Sequence, residues 1–478
     1  MNKTNYVMGI PGLKDIQIDP SSYVDPNGFL FWYKNEVFRV VYTQAAEFYL
    51  SLFSSQVINK LTQNKSLVPT SIIPSTEFHI PEAGLILKHQ VILPHTYCTE
   101  WCPSMLKDAA LNILNLSEEL LEHKCMLQDA YPWNVLFLGT KPIYVDFTSI
   151  VPWSEQLIWP AYEQFCSFFL RPLQLAVMRK GNISRNLLLN NISGISLNIL
   201  LQNAVFSFKI RNLNLLIASH LDNFIQKRIN LKAKLKNIIE DYTPQITPTI
   251  RKKFYNNLQQ KIQSLSFLKS GDLWTNYYQT IPSFVDKNLK IEVVNSLLKK
   301  LNKRTLLDLG ANTGVFSVNA ANQGLKVIAV DQSEECMEKL YYFAKTQNLT
   351  VTPLISDILC PTPAFGFLGE QYLPLFNRIK SEIVLCLGLM HHLHIAGRQS
   401  FDRIAYLLAR CTSDYLIFEF VDSSDANNEL LDSRNVKDYT LETCLNSLTK
   451  YFKNFEIFDS DRKTRKIILA TRLDLPAT

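Results

Sequence analysis

Residues 305–331 constrain the fold of this chain more than any other stretch of its sequence. They begin with a short apolar run of strand character at residues 305–309, which leads into a glycine turn at residues 310–314. A second apolar, β-branched run at residues 326–330 stops at Asp331. A strand, a glycine turn that opens a helix, and a second strand form a βαβ unit, so the sequence predicts parallel strands covered by helices.

The turn of this unit has the residues that a bound ligand requires. Gly310 and Gly314 have no Cβ at the place where a ligand must lie against the backbone. The helix predicted to start near Val315 directs unpaired N–H groups at whatever lies over the turn. Asp331, at the carboxyl end of the second strand, is placed to accept two hydrogen bonds from the hydroxyls of a ribose. The alternative is a βαβ unit that binds no ligand.

Two further residues of the turn narrow the choice of ligand. A dinucleotide-binding turn has the spacing G-x-G-x-x-G, whereas this chain has Asn312 at the second glycine and Asp308 just before the turn. That carboxylate repels a pyrophosphate and attracts the ammonium of an amino-acid moiety. The stretch resembles motif I and the following acidic loop of class I S-adenosylmethionine (SAM)-dependent methyltransferases. The resemblance implies that SAM is held by Asp308, Gly310, Ala311, Asn312, Gly314, Asp331 and Gln332.

Further strand-like runs follow the βαβ unit. They lie at residues 350–355, 382–388 and 415–420, and a final pair at 456–458 and 466–471 is predicted to be antiparallel. Strands that alternate with helices predict a mainly parallel, Rossmann-like α/β sheet with helices on both faces, and the resemblance implies seven strands. Ligands of such sheets bind beyond the carboxyl ends of the strands. The candidate residues at that edge are Gly310, Asp331, Asp357 and residues 388–392.

Asp357 closes the third predicted strand, and Ile358 follows it. In class I methyltransferases an acid at this place commonly binds the amino group of adenine. The resemblance therefore implies that Asp357 contacts adenine and that Ile358 packs against the ring. The alternative is that Asp357 caps the amino end of a helix.

The segment after the fourth predicted strand is where a transferred methyl group is expected to meet its acceptor. His391 or His392 is a candidate to take a proton from an acceptor hydroxyl, because the pKa of histidine lies near the working pH. A packed or orienting role is the alternative, and the two adjacent side chains are expected to point in different directions. Glu419, with Asp422 and Asp425, either binds acceptor hydroxyls or caps the sheet end. No metal site is predicted, because no acid stands at ligand spacing from these histidines.

Length and composition describe a globular protein of more than one domain. The 478 residues exceed one ordinary core, and 47% are hydrophobic while 19% are charged. The net charge of +6 is mild and does not by itself indicate a nucleic-acid partner. No run reaches the roughly 18 apolar residues that span a bilayer, and the N-terminus lacks the apolar core of a secretory signal. Nine scattered cysteines predict free thiols in a reducing cytoplasm.

A second group of chemically active residues lies in the N-terminal half. Asp129, Asn134 and Asp146 resemble the catalytic loop and metal-binding strand of the protein kinase and aminoglycoside phosphotransferase superfamily. The resemblance implies that Asp129 is a base and that Asn134 and Asp146 hold Mg²⁺. No glycine-rich phosphate loop precedes them, Arg39 stands nearest to the place of the usual lysine, and Gln128 precedes the acid. Active phosphotransfer, a degenerate kinase-like fold and coincidence are the three interpretations.

From Asp25 onward the chain resembles a bacterial two-domain group of class I SAM-dependent methyltransferases, some of which are labelled nodulation proteins. The order and spacing of several blocks are more specific than any single block. These blocks are residues 100–110, 128–134, 357–366, 387–393 and 418–422. The predicted regions are an N-terminal arm at 1–24, an α+β domain at 25–155, a helical region at 156–270 and a methyltransferase domain at 271–478.

The sequence therefore predicts a SAM-dependent methyltransferase that acts on an oxygen or nitrogen of an unidentified acceptor. A small molecule or saccharide is favoured over nucleic acid as that acceptor, no membrane insertion is expected, and no oligomeric state is predicted. The competing hypothesis is a kinase-like phosphotransferase or nucleotide-binding module that the SAM-binding domain regulates. A third hypothesis is a non-catalytic interaction protein.

Overall fold

The computed structural model describes residues 12–22, 25–154, 158–191, 193–226, 246–267, 288–425 and 438–473. These residues form two principal sheets, an antiparallel sheet in the N-terminal half and a mainly parallel sheet in the C-terminal half. The loops contain short 3₁₀ turns at Pro20–Ser22, Ser75–Glu77, Cys98–Glu100, Pro132–Asn134, Phe147–Ser149 and Phe367–Gly369.

The antiparallel sheet has five strands in the order β1-β2-β3-β5-β4. They are β1 (Gln17–Ile18), β2 (Gly28–Tyr33), β3 (Glu36–Tyr42), β4 (Thr70–Ile73) and β5 (Ala83–His89). Lys34 and Asn35 make the β2–β3 turn, and both have the positive φ that two-residue hairpin turns require. Helix α1 (Thr43–Ser54) packs against β3 and β5, and α2 (Val57–Gln63) follows it.

A long helix and two small sheets complete the N-terminal half. Helix α3 (Pro103–Leu121) has the apolar spacing of a buried helix, and its first residue is proline, which needs no N–H partner there. Strand β6 (Cys125–Leu127) pairs with β9 (Ile150–Pro152), and β7 (Val135–Leu138) pairs with β8 (Lys141–Tyr144). The helices that follow are α4 (Tyr162–Phe165), a π-helical turn (Cys166–Leu170), α5 (Arg171–Val177), α6 (Gly181–Asn190), α7 (Leu197–Asn203), α8 (Phe206–Arg211), α9 (Leu213–Gln226) and α10 (Pro248–Gln263).

The C-terminal sheet has seven strands in the order β12-β11-β10-β13-β14-β16-β15. They are β10 (Thr305–Leu309), β11 (Lys326–Asp331), β12 (Val351–Ile355), β13 (Ser381–Cys386), β14 (Thr412–Val421), β15 (Phe452–Asp459) and β16 (Arg465–Arg472). Strand β16 runs opposite to the other six strands, so the predicted mainly parallel α/β sheet of seven strands is confirmed. Its helices are α11 (Leu289–Leu301), α12 (Val315–Asn322), α13 (Glu334–Thr346), α14 (Leu375–Arg378), a π-helical turn (His392–Ala396), α15 (Phe401–Cys411) and α16 (Leu441–Leu448).

Helix α13 joins the two halves because both of its faces are covered. Leu340 is fully buried in the core. On another face, Glu338 accepts a hydrogen bond from the backbone N–H of Ser104 at 3.0 Å, at the start of α3. The hydroxyl of Tyr341 donates to the Asp108 carboxylate at 2.6 Å. The helix that follows Asp331 is therefore held by the N-terminal half.

The predicted regions 1–24, 25–155, 156–270 and 271–478 stay a prediction. Each boundary between them lies at or beside residues outside the described ranges. Within those ranges, none of the helices combines the length and the apolar character that a membrane crossing requires. All nine cysteines are free thiols, as predicted, and most of them are buried.

A second contact between the halves is a buried ion pair. The guanidinium of Arg378 binds both carboxylate oxygens of Glu100, one of them at 3.1 Å, and its Nε donates to the carbonyl of Leu373 at 2.9 Å. The same guanidinium lies 3.9 Å from the centre of the Tyr97 ring. The side chains of Arg378 and Glu100 are 1% and 0% exposed, so water cannot replace either partner.

We predict that Arg378→Met destabilises the protein by about 3–5 kcal/mol, because it leaves the Glu100 carboxylate buried and unpaired. The double variant Glu100→Leu/Arg378→Met should recover much of that loss, since no charge is then stranded. Urea unfolding measures both values. The matched control is Lys60→Met, which removes an exposed ion pair and should change the free energy of unfolding by less than about 0.5 kcal/mol. Equal losses in the single and double variants would contradict the prediction.

Candidate functional site

The glycine turn lies between the carboxyl end of β10 and helix α12, which begins at Val315 as predicted. Gly310 has a φ of +73° and Gly314 a φ of +81°, conformations that side chains with a Cβ rarely adopt. The backbone N–H groups of Gly310 and Ala311 donate to the carbonyl of Val330 in the neighbouring strand at 2.9 and 3.1 Å. A Cβ at Gly314 would lie 2.5 Å from the Leu340 side chain, so helix α13 closes on the turn.

Asp331 lies beside this turn at the end of β11. Its Oδ2 accepts from the backbone N–H of Asn312 at 2.8 Å, and its Oδ1 accepts from that of Ser333 at 2.9 Å. A carboxylate oxygen can accept two hydrogen bonds, so each oxygen keeps one free lone pair. Asp331 is therefore fixed in orientation and still able to accept two hydroxyls. Gln332, the next residue, is exposed.

Asp308 lies in β10 directly below the turn and is 2% exposed. Its Oδ2 accepts from the hydroxyl of Ser317 at 2.7 Å. Burial, with a smaller contribution from Asp331, raises the pKa of Asp308 to about 6, although the Ser317 hydroxyl and Lys290 oppose the shift. A buried carboxyl in this state gains a more favourable environment when a cationic group of a ligand approaches it.

Asp357 follows β12 on the same edge of the sheet and is exposed. Its Oδ1 accepts from the backbone N–H of Leu359 at 2.9 Å, and its own carbonyl accepts from the N–H of Cys360 at 3.1 Å. These bonds close a turn rather than a helix, so the alternative of a helix cap at Asp357 is wrong. Ile358 is partly buried and packs against the core beside it.

The segment after β13 brings His391 and His392 together. Their ring centres lie 4.3 Å apart, so the expectation that the two side chains point in different directions is wrong. His391 is 4% exposed, and its Nδ1 has no hydrogen-bond partner among the described residues. Burial, with smaller contributions from His392 and Arg465, lowers the pKa of His391 to about 4. The more exposed His392 has its pKa lowered by partial burial. Both imidazoles are therefore neutral near pH 7.

The predicted acids at the carboxyl end of β14 lie at this edge, but other residues of the protein already bind them. Glu419 is fully buried, and its oxygens contact Lys290 Nζ at 2.7 Å and the hydroxyl of Ser460 at 2.8 Å. Asp425 accepts two hydrogen bonds from the guanidinium of Arg465, at 2.9 and 3.1 Å. Such internal pairing favours a positioning role over direct contact with an acceptor. Asp422 accepts from the backbone N–H of a neighbouring serine.

Lys290 is the residue of this edge that the sequence patterns did not single out. It lies in α11, ahead of the glycine turn, where a lysine is ordinarily solvated. One signal was available, because Val294 and Leu297 follow Lys290 at i+4 and i+7 and are both buried. That spacing places Lys290 on the apolar face of its helix.

Of the predicted kinase-like residues in the N-terminal half, the structure brings Asn134 and Asp146 together, whereas Asp129 bonds elsewhere. Asn134 donates to Asp146 Oδ2 at 3.1 Å, as neighbours of a shared site would. Arg39 lies 3.4 Å from Asp146 Oδ1 and 2.6 Å from the carboxylate of Asp25, so a guanidinium lies between the two acids. Asp129 accepts from the side chain of a glutamine at 3.1 Å. Burial raises the pKa of Asp146, which Arg39 opposes. Within the described ranges, no three His, Cys, Asp or Glu side chains are arranged to hold a metal ion.

Comparison with known proteins gives one curated relative and several structural neighbours. The relative is nodulation protein NoeA of Rhizobium meliloti (strain 1021), 25% identical over 84% of this chain and 85% of its own. One solved neighbour is the PH0226 protein of Pyrococcus horikoshii OT3, with 18% identity over 42% of this chain and 100% of that chain and a TM-score of 0.30. Another is magnesium protoporphyrin IX methyltransferase of Synechocystis PCC 6803 with bound S-adenosylhomocysteine (SAH), with 16% identity, coverage of 38% and 83%, and a TM-score of 0.28.

No protein-family model matches the chain. The curated relative confirms the predicted resemblance to proteins labelled as nodulation proteins. A methyltransferase is among the structural neighbours, at the TM-score of 0.28 given above.

We predict that Asp308→Asn stabilises the folded protein near pH 7. The folded-state pKa of about 6 lies above the ordinary value of 3.8, so the stability that this group contributes is fully present below about pH 4 and is lost as the pH rises through 6. The variant does not ionise at this position and should be more stable by about 2–3 kcal/mol at neutral pH. Urea unfolding at several pH values measures the difference. A difference that does not vary between pH 4 and 7 would contradict it.

Proposed function

We propose that this protein is a SAM-dependent methyltransferase that transfers a methyl group to an oxygen or nitrogen of an unidentified acceptor. The observation that carries the proposal is the fixed carboxylate of Asp331, which accepts from the N–H of Asn312 at 2.8 Å and keeps a free lone pair on each oxygen. A second acid precedes the same turn at Asp308, and a third follows the next strand at Asp357. Three acids at the ends of three adjacent strands suit a ligand with an ammonium, a ribose and an adenine.

Residues at the turn and at the ends of the neighbouring strands suit different parts of SAM. Asp308 suits the ammonium, because a cation relieves the unfavourable burial of its carboxyl. Asp331 suits the two ribose hydroxyls. Asp357 has a carboxylate oxygen left for the adenine amino group, and Ile358 offers an apolar surface to the ring. Around them, the turn and the loop after β11 are formed by Gly310, Ala311, Asn312, Gly314 and Gln332.

Bound SAM would supply a methyl group on a positively charged sulfur, which an acceptor attacks in line with the leaving sulfur. The protein's own contribution is then to hold both reactants in that line, which can supply much of the rate acceleration. His391 and His392 are the proposed acceptor-side residues. A pKa of about 4 makes His391 a weak base, so its proposed task is to accept a hydrogen bond from the acceptor and orient it. Glu419, whose carboxylate is bound by Lys290 and Ser460, is the proposed positioning residue beside these histidines.

We further propose that the acceptor is a small molecule or saccharide and that the protein works in the cytoplasm. The charge of +6 is spread over a 478-residue chain, which gives little support to a nucleic-acid acceptor. Nine free cysteines suit a reducing compartment.

Phosphotransfer by the N-terminal half receives no comparable support. Arg39 already provides the positive charge between Asp25 and Asp146, where a kinase-like site would need a divalent cation. Asn134 and Asp146 are also bonded to each other rather than left free for a ligand. We therefore propose that the N-terminal half supports the C-terminal site and does not catalyse phosphotransfer.

We predict that SAM and SAH bind to the purified protein and that Asp331→Ala weakens both. Losing the two ribose hydrogen bonds should cost about 1.5–3 kcal/mol, roughly ten- to hundredfold in affinity. Isothermal titration measures the dissociation constants. The matched control is Asp459→Ala at the exposed end of β15, which should leave both constants unchanged. Thermal unfolding of each variant checks that the turn stays folded, because Asp331 also accepts from the Asn312 N–H. Failure of the unsubstituted protein to bind either ligand would refute the proposed function.

We predict that ATP with Mg²⁺ does not bind, because Arg39 occupies the space between the two N-terminal acids. The same titration with ATP, with and without Mg²⁺, measures this. Mg²⁺-dependent binding that disappears in Asp146→Ala would contradict the prediction and revive the phosphotransfer hypothesis.

A further inference from the structure

A buried ion pair connects α11 to the last parallel strand of the C-terminal sheet. Lys290 Nζ lies 2.7 Å from Glu419 Oε2, and the hydroxyl of Ser460 donates to the other oxygen, Oε1, at 2.8 Å. The side chain of Glu419 is 0% exposed and that of Lys290 is 15% exposed. Because both oxygens of Glu419 are bound and none of its surface is exposed, only Lys290 can contact a ligand.

The pair lies between the glycine turn and the segment after β13. Lys290 Nζ is 5.5 Å from the centre of the Phe316 ring, and Phe316 is the second residue of the helix that follows the turn. A Cβ built on Gly388 would lie 3.5 Å from Glu419 Oε2. The next residue, Leu389, is 3.4 Å from a Cβ built on Gly310. Residues from the cofactor side and from the acceptor side therefore both approach this pair.

The charge of Lys290 also acts on both sides of the site. It opposes the rise in the pKa of buried Asp308, and it contributes to the lowering of the pKa of His391. The other charged or titratable groups that affect His391 are His392, Arg465 and Asp425. An ammonium at this place would repel a sulfonium bound at the glycine turn unless a negative charge compensated for it, and Glu419 provides that charge.

We propose that Lys290 positions an oxygen nucleophile of the methyl acceptor and that Glu419 is the counter-charge that lets Lys290 stand beside a sulfonium. This inference rests on the proposed function. An ammonium has three donors and no acceptor, so it binds lone pairs of a hydroxyl or carboxylate oxygen and repels a protonated amine. In the transfer an oxygen–carbon bond forms while the carbon–sulfur bond breaks. Its electron pair stays on sulfur, and a hydroxyl proton leaves to solvent.

The first test compares the affinities for SAM, which carries the positive sulfur, and for SAH, which does not. Glu419→Gln leaves Lys290 uncompensated and should weaken SAM relative to SAH by roughly tenfold. Lys290→Met leaves Glu419 uncompensated and should shift the ratio in the opposite direction. The double variant should return the ratio towards that of the unsubstituted protein. The matched control is Lys299→Met, on the exposed side of the same helix, which should not change the ratio.

Opposite shifts of the two single variants would support the placement of the pair at the reacting centre. Equal ratios in all variants, with binding retained, would overturn that placement and leave the proposed function intact. Absence of binding in the unsubstituted protein would instead remove the proposed function itself. Thermal unfolding of the double variant, which strands no buried charge, keeps the comparison interpretable if a single variant fails to fold.

The second test addresses the oxygen class with acetate and methylammonium as probes. Each is titrated, at equal ionic strength, into the protein saturated with SAH, and the shift in melting temperature is followed. Acetate should stabilise the complex of the unsubstituted protein and not that of Lys290→Met, whereas methylammonium should stabilise neither. Stabilisation by methylammonium, or by neither probe, would overturn the oxygen assignment.

Discussion

Helix α13 (Glu334–Thr346) is the element on which the arrangement of the two halves depends. It begins three residues after Asp331, so whatever orients the helix also orients the carboxylate at the glycine turn. One face lies in the core of the C-terminal sheet, and Leu340 closes on Gly314. Another face binds the N-terminal half, where the carboxylate of Glu338 caps α3 at Ser104. A two-faced helix of this kind leaves the ligand turn little freedom to move.

This arrangement buries several acidic side chains, which is unfavourable, and nearby donors or cations stabilise each of them. Glu338 has its pKa raised by burial, which the two hydrogen bonds from Ser104 oppose. Glu100 is held by Arg378, and Glu419 by Lys290. Asp308, like Glu338, is bound by a serine rather than by a cationic side chain, and its pKa stays raised, to about 6. Of these two acids, Asp308 is the one beside the glycine turn, and the sequence assigns it to a ligand's ammonium.

Local sequence predicted the C-terminal sheet well because each of its signals acts over a few residues. The apolar run of β10 and the start of α12 at Val315 were read from glycine, alternation and spacing alone. The sequence also predicts that the fourth strand ends near Gly388, whereas β13 ends at Cys386. The prediction is too long because apolar residues continue past the last hydrogen bonds of the sheet. The sequence did not predict the packing of His391 against His392, since two adjacent residues reveal nothing about a π-helical turn that begins at the second of them.

The sequence by itself determined the βαβ unit, the mainly parallel α/β sheet, and the acids at the ends of strands, because the positions of strands and glycine turns along the chain follow from local periodicity and residue type. Tertiary structure alone decided which charges meet. Lys290 and Glu419 are far apart in the chain, as are Arg39 and Asp146, and each pair contacts only after folding. No local pattern encodes such pairs, since an ion pair depends on the distance between two elements rather than on the spacing within either one.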